Sequence, residues 1–324
     1  MNLRLLNSSI IKAEASRLGF FACGMARAQK VDSTEERNLE QWLEQKGHAD
    51  MQYMAKHKEV RLDPRLLLNG AKTIVSVALN YCPKVTIPQD EPQMAYYAYG
   101  LDYHDIVKQK LYALACNLGL HTDPKAARPE DQPFRVVVDT APILERYWAR
   151  QAGLGWQGKN RQLIIPNAGS MFFLGELLLT DEVDIYDQPM ADRCGACRKC
   201  LDACPTNALG DGTMLDSAKC LSYITIENRN DKISTHDASA MGNCFYGCDR
   251  CQKACPHNRY ASPNNTPELQ PSRQLLDMTW EKWETITEEQ YQTLFKGCAA
   301  KRAKYKGLQR NIEAIKGNRE NSIK

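Results

Sequence analysis

The stretch from Cys194 to Pro256 constrains this chain most. It opens with Cys194, Cys197, Cys200 and Cys204-Pro205, and it closes with Cys248, Cys251 and Cys255-Pro256. The first run has C-x2-C-x2-C-x3-C-P spacing. In that spacing three close thiolates hold three irons of one cubane, and the fourth, beyond a proline turn, reaches a second cubane. Two such runs facing each other imply two [4Fe–4S] clusters, each completed by the other run. C-x-x-C pairs also bind structural zinc, but zinc does not call for the crossing arm. The second run lacks a cysteine three residues before Cys248, where Phe245 stands. Cys244 and Cys220 are both candidates for the missing ligand. With Cys220, the insertion up to Cys248 is expected to form a loop over the second cluster.

Thirteen cysteines without a leader point to metal ligation in a reducing cytosol rather than to disulfides. Met1 to Asn7 has no long apolar stretch, so no secretion signal is expected. The best apolar run, Met171 to Leu179, is short and contains Glu176, so no membrane span is expected either. Two clusters take eight cysteines. Cys23, Cys82, Cys116, Cys298 and one of Cys220 and Cys244 remain, and are expected as small buried hydrophobes. At 324 residues, with 43% hydrophobic and 25% charged, the chain reads as a soluble protein of two or three domains. Lys296 to Lys324 carries nine Lys/Arg against two Glu on a chain of net charge +3. A mildly acidic body with a basic tail suggests a polyanionic partner, or else a solvated helix face.

In chain order, Ser8 or Ser9 can cap a first helix bearing Ile10, Ile11, Ala15 and Leu18, ended by Gly19. A second helix runs from about Ser33 to Gly47. Lys72 to Leu79 reads as a buried strand, and Asp102 begins a helix reaching about Leu118. Phe134 to Asp139 is the next strand, and a helix with Arg146, Tyr147 and Trp148 follows Pro142. Further strands are expected over Gln162–Ile165 and Met171–Thr180. This alternation argues an α/β or α+β domain over residues 1–185. A two-cluster domain covers 186–260, and a linker with a basic helical tail covers 261–324.

The clusters move electrons, so bond chemistry belongs to the first domain. Asp139 stands at the end of a buried strand, where desolvation would raise its pKa and make it a proton donor. The alternative is that Asp139 or Thr140 caps the following helix. The turn Gly153 to Asn160 could let backbone approach a phosphate or a cofactor amide, or simply end a helix. Tyr96, Tyr97, Tyr99 and Tyr103 could line a flat cofactor or pack in the core. His104 and His57 have no second ligand at metal spacing.

These residues resemble the epoxyqueuosine reductase family over essentially the whole chain. The resemblance rests on Arg61 to Leu68, Asp102 to Asp105, Val138-Asp139-Thr140, Arg146, Gly153 to Trp156 and Gly158-Lys159-Asn160. It continues through the first cysteine run, Cys220 to Glu227 and Gly242 to Cys251. It implies a cobalamin-binding core like that of reductive dehalogenases, carrying a ferredoxin-like insertion. The implied activity reduces the epoxide of epoxyqueuosine to queuosine at the wobble position of tRNA, with cobalamin recharged by two [4Fe–4S] clusters. Asp139 matches the proton donor; Arg61, Leu163, Leu174, Ser222 and Asp249 match positions near the corrin. Cys220 rather than Cys244 matches the ligand. The sets are then Cys194, Cys197, Cys200 with Cys255, and Cys220, Cys248, Cys251 with Cys204. A cytoplasmic monomer served by a low-potential electron donor is expected; the HEAT-like C-terminal domain of many members is expected to be absent, a departure from the family pattern. A reductive dehalogenase would share the cofactors but is expected to carry an export signal. A ferredoxin-type electron carrier would leave the first 185 residues without a role.

Overall fold

The computed structural model describes residues 5–323, with side chains to 318. The expectation about the first residues therefore lies partly outside the described chain, as do the side chains of Arg319 and Lys324.

The first half is built on four strands, β1 (Ala22–Arg27), β2 (Thr73–Asn80), β3 (Phe134–Val137) and β4 (Phe172–Leu179), in the order β1-β2-β4-β3. Every pairing is antiparallel. Of the two expected classes the core is therefore α+β. The rule that places sites at the crossover of a parallel sheet does not apply to it.

The central strands are buried on both faces, which explains their unbroken apolar runs. Val75 and Val77 of β2 and Leu177 and Leu179 of β4 face one core, together with Ile11 and Ala15 of α1 (Ser8–Arg17). Val107, Leu111 and Leu114 of α3 (Tyr103–Asn117) complete that side. Ile74, Ala78 and Leu178 face the other core, against Leu39 of α2 (Ser33–Glu44) and Tyr147, Trp148 and Ala149 of α4 (Glu145–Gln151). Gly24 permits that second layer, because a Cβ there would stand 2.0 Å from the Ala152 carbonyl oxygen.

Local signals worked to within a residue or two. α1 is capped by Asn7 rather than by Ser8 or Ser9, and Ile10 is exposed. α2 is capped by Asp32 and α3 by Asp102, each through a carboxylate accepting backbone N–H groups.

The second half folds around its own core. Leu221 and Ile224 of α5 (Leu221–Ile226), Phe245, Tyr246, Trp283, Tyr291 and Phe295 pack there with Leu308, Ile312 and Ile315 of α6 (Lys304–Ile323). Asn311 of α6 is fully buried, and its amide donates to Thr225 O at 2.7 Å and Phe245 O at 2.9 Å. The tail is thus integral to this core.

Two expectations change here. The insertion after Cys220 is not a loop, because its apolar residues form α5 and a helix over Thr235–Met241 that fill the core. The stretch 261–270, expected as a linker, is anchored. Asn264 is 2% exposed and donates both its backbone N–H and its side-chain Nδ2 to Cys82 O, and Leu269 joins the first core.

Candidate active site

Asp139 follows β3 with φ of 50°, a left-handed conformation that Asp tolerates better than most residues. Its backbone N–H donates to Glu145 Oε1 at 2.6 Å, which holds the turn against α4. Its carboxylate Oδ2 accepts from Tyr103 Oη at 2.5 Å and lies 3.0 Å from His104 Nε2. His104 Nδ1 in turn lies 2.6 Å from Asp102 Oδ1. The capping alternative is excluded: α4 begins at Glu145 with Leu144 as its cap, and makes no side-chain cap bond.

The charge state differs from the sequence expectation. Burial does raise the Asp139 pKa, but the hydrogen bonds from His104 and Tyr103 outweigh it, and the net direction is down. Its side chain keeps 52% of its surface open, so water also supports the carboxylate. Burial works against a charge on His104, yet the bonds to Asp102 and Asp139 raise its pKa to about 9. Near neutral pH the pair is imidazolium and carboxylate. Behind it, burial and the Asp139 charge push Glu145 up to about 8. Glu176, fully buried beside Ser76 in the sheet with both oxygens unpartnered, is raised well above the carboxylate range by burial.

Arg61 belongs to this neighbourhood, since the Asp139 and Glu145 charges act on it. It is 7% exposed; its Nη2 donates to Tyr53 O at 3.0 Å, and its Nε is buried without a partner. Such an unused guanidinium edge fits a large ligand with polar substituents. Leu163 lies in the core shared with α4, and Leu174 packs against that core partly buried. Ser222 and Asp249 lie beside the cysteines. Ser222 hydrogen-bonds Cys220, while Asp249 Oδ2 accepts the Tyr96 N–H at 2.8 Å. The tyrosine segment runs between the groups, from Tyr96 at Asp249 to Tyr103 at Asp139. Most of it is core packing, with Tyr97 Oη donating to Tyr246 Oη at 3.3 Å.

Cys194, Cys197, Cys200 and Cys255 line one cavity of about 220 Å³, together with Lys159 and Asn160. The glycine turn, read as a phosphate or cofactor-amide contact or a plain helix stop, meets the first cysteine run through Lys159 and Asn160. Lys159 Nζ donates to Gly195 O at 2.6 Å and Cys197 O at 3.0 Å. The other four lie near one another, since Cys248, Cys220 and Cys204 all act on the Cys251 thiol. Among the described residues no three His, Cys, Asp or Glu groups converge as one metal ion would need. In the first set the thiols ring a space instead, and cavity and donor set suit a polynuclear cluster. Cys244 stands near Cys248 but is turned to other partners. Its strand pairs with Gln93–Met94, and its thiol donates to Gly247 O at 3.1 Å. Of the leftover cysteines, Cys298 is buried, Cys23 and Cys82 are half-buried, and Cys116 is exposed, contrary to expectation.

The basic tail reaches this region. Arg302 pairs with Glu227 at 2.8 Å, lies over the Tyr53 ring and feels the Asp139 charge. Lys306 pairs with Asp231 at 2.6 Å, and Arg310 is spent on backbone carbonyls of Asn228, Asn230 and Ile224. Sequence reasoning missed Tyr103 and His104 as partners of Asp139. Their signal was the Asp102 to Asp105 segment, which reads locally as a helix start.

Residues 61–140 match the family model described as Epoxyqueuosine reductase QueG, DUF1730, and residues 193–258 match a 4Fe-4S double cluster binding domain. An epoxyqueuosine reductase of Cellulophaga algicola is 40% identical over 317 residues, covering 98% of this chain and 100% of its own. One from Cyclobacterium marinum is 41% identical over 315 residues, covering 96% and 97%. A crystal structure of epoxyqueuosine reductase with a tRNA-Tyr epoxyqueuosine-modified stem loop superposes with a TM-score of 0.80 at 29% identity. It covers 95% of this chain and 80% of that one.

Proposed function

The chain belongs to the epoxyqueuosine reductase family, and from that premise we propose that the Asp139 site, using cobalamin and two [4Fe–4S] clusters, reduces epoxyqueuosine in tRNA to queuosine. The overall reaction consumes two electrons and two protons and releases water. The observation that carries the reading is the Asp139 carboxylate, half open and held by Tyr103 and His104 beside Arg61.

Bound cobalamin would supply a low-valent cobalt centre able to reduce the epoxide carbon, and the clusters would supply its electrons one at a time. Arg61, Leu163, Leu174, Ser222 and Asp249 are the residues proposed to hold the corrin. Both ring nitrogens of His104 are already engaged, so its task is protonic. The epoxide oxygen is a poor leaving group unless protonated, and Asp139 Oδ2 is the proposed donor. The resting carboxylate must first gain a proton, and His104 Nε2–H is the more acidic of the two donors on it, because burial and the Asp139 charge raise the Tyr103 hydroxyl pKa. Asp102 keeps the ring oriented throughout. Tyr103 Oη fixes Oδ2, and Glu145 fixes the backbone that presents it.

The proposed cluster ligands are Cys194, Cys197, Cys200 and Cys255 for one, and Cys220, Cys248, Cys251 and Cys204 for the other. The grouping of the thiols supports both sets. We read the protein as a cytosolic monomer served by a low-potential donor, a setting that suits unpaired cysteines. No helix among the described residues is long and apolar enough to cross a membrane. The test is anaerobic reconstitution with iron, sulfide and cobalamin, followed by reaction with epoxyqueuosine-containing tRNA and nucleoside mass spectrometry. Queuosine formed only when cobalamin is present is expected; full activity without it would remove the corrinoid from the scheme.

A further inference from the structure

Asn160 stands in the wall of the cavity ringed by Cys194, Cys197, Cys200 and Cys255, and is 3% exposed. The orientation of its amide follows from its oxygen. Oδ1 accepts the Gln162 N–H at 3.2 Å, so the group left over is Nδ2, which is buried and has no partner in the protein. Buried N–H donors are almost always matched, so a lone one in a cavity wall implies an acceptor inside the cavity. The chain makes room for this placement. A Cβ at Gly158 would lie 2.9 Å from Asn160 Oδ1 and 2.4 Å from Ile164 Cδ1. The adjacent Lys159 does not compete, because its ammonium is bound to the carbonyls of Gly195 and Cys197 and holds the cysteine loop.

We propose that Asn160 Nδ2–H donates a hydrogen bond to a sulfur of the cluster held by Cys194, Cys197, Cys200 and Cys255, and thereby raises that cluster's reduction potential. The inference rests on the ligand assignment above. An added electron places more negative charge on the cluster sulfurs, so an N–H donor stabilises the reduced form more than the oxidised one. Asn160 is then a positioning and tuning residue that favours electron entry at this cluster.

The test is Asn160→Leu, similar in shape but without a donor, reconstituted anaerobically and titrated by EPR-monitored potentiometry. Full iron is expected, with one midpoint moved negative and the other unchanged. The reduced-to-oxidised ratio at fixed potential should fall about tenfold, which for one electron is about 59 mV. Full iron with both midpoints unmoved would overturn the proposal. If the variant loses iron, the wild type labelled with ¹⁵N-asparagine decides. Pulsed EPR of the reduced protein should show a nitrogen coupling that changes with the label, and no such coupling would overturn it. Wild-type protein that took up no iron would instead remove the ligand assignment, a failure that the iron count tells apart.

Discussion

His104 Nε2 lies 3.0 Å from Asp139 Oδ2, joining the first turn of α3 to the end of β3. Because Asp102 holds the other ring nitrogen, the imidazole is fixed at both ends and its pKa rises to about 9. The groups acting on the pair include Asp102, Tyr103, Glu145 and Arg146, with Arg61, Arg302 and Tyr53 within reach of the Asp139 charge.

This sets a pH dependence. A raised histidine pKa means that the charged ring stabilises the fold fully below its ordinary value of about 6.5. That contribution is lost as pH climbs through about 9. Turnover should show an alkaline limb near the same value, since His104 then has no proton to pass. His104→Gln should lower turnover and abolish the limb while cofactor content stays intact. A limb unchanged in the variant would show that another group titrates there.

The crossed cysteine assignment predicts unequal effects for two neighbouring thiols. Cys220→Ala should lose one cluster, about half the iron. Cys244→Ala should keep all of it, because that thiol points to the Gly247 carbonyl. Iron lost from the Cys244 variant would reverse the assignment.

How much of this was legible beforehand follows the range of each signal. Cysteine spacing is local, and the domain it implied is matched by residues 193–258. Caps are local too, and Asp102 read correctly as the start of α3. β1 was missed, because Ala22-Cys23-Gly24-Met25-Ala26-Arg27 has little strand character. Its small residues answer instead to the close approach of the chain at Ala152. Antiparallel pairing of strands far apart in sequence leaves no periodic trace, and neither does the meeting of Asp139 with His104. A strand-end carboxyl invites the inference of a raised pKa; two donors brought in by another helix reverse its sign.

The tail prediction narrows for a similar reason. Arg302 and Lys306 are paired with Glu227 and Asp231, so removing them would disturb packing as well as charge. Lys301 and Lys304 make no ion pair among the described residues and are the better probes. Lys301→Gln with Lys304→Gln should weaken tRNA binding and flatten the slope of log affinity against log salt by roughly 0.7–0.9 per lost phosphate contact. An unchanged slope would return this segment to a solvated face.

The most direct measurement is single-turnover reduction of epoxyqueuosine in tRNA by Asp139→Asn, with iron and cobalamin content verified. Asn accepts the left-handed backbone at this position and preserves the size of the side chain. It can still accept from Tyr103, but it has no acidic proton to deliver. A proton-donating Asp139 predicts a fully loaded protein that binds tRNA normally and turns over on the order of 10²–10⁴ more slowly. Near-normal turnover in that loaded variant would contradict the assignment of Asp139 as the acid.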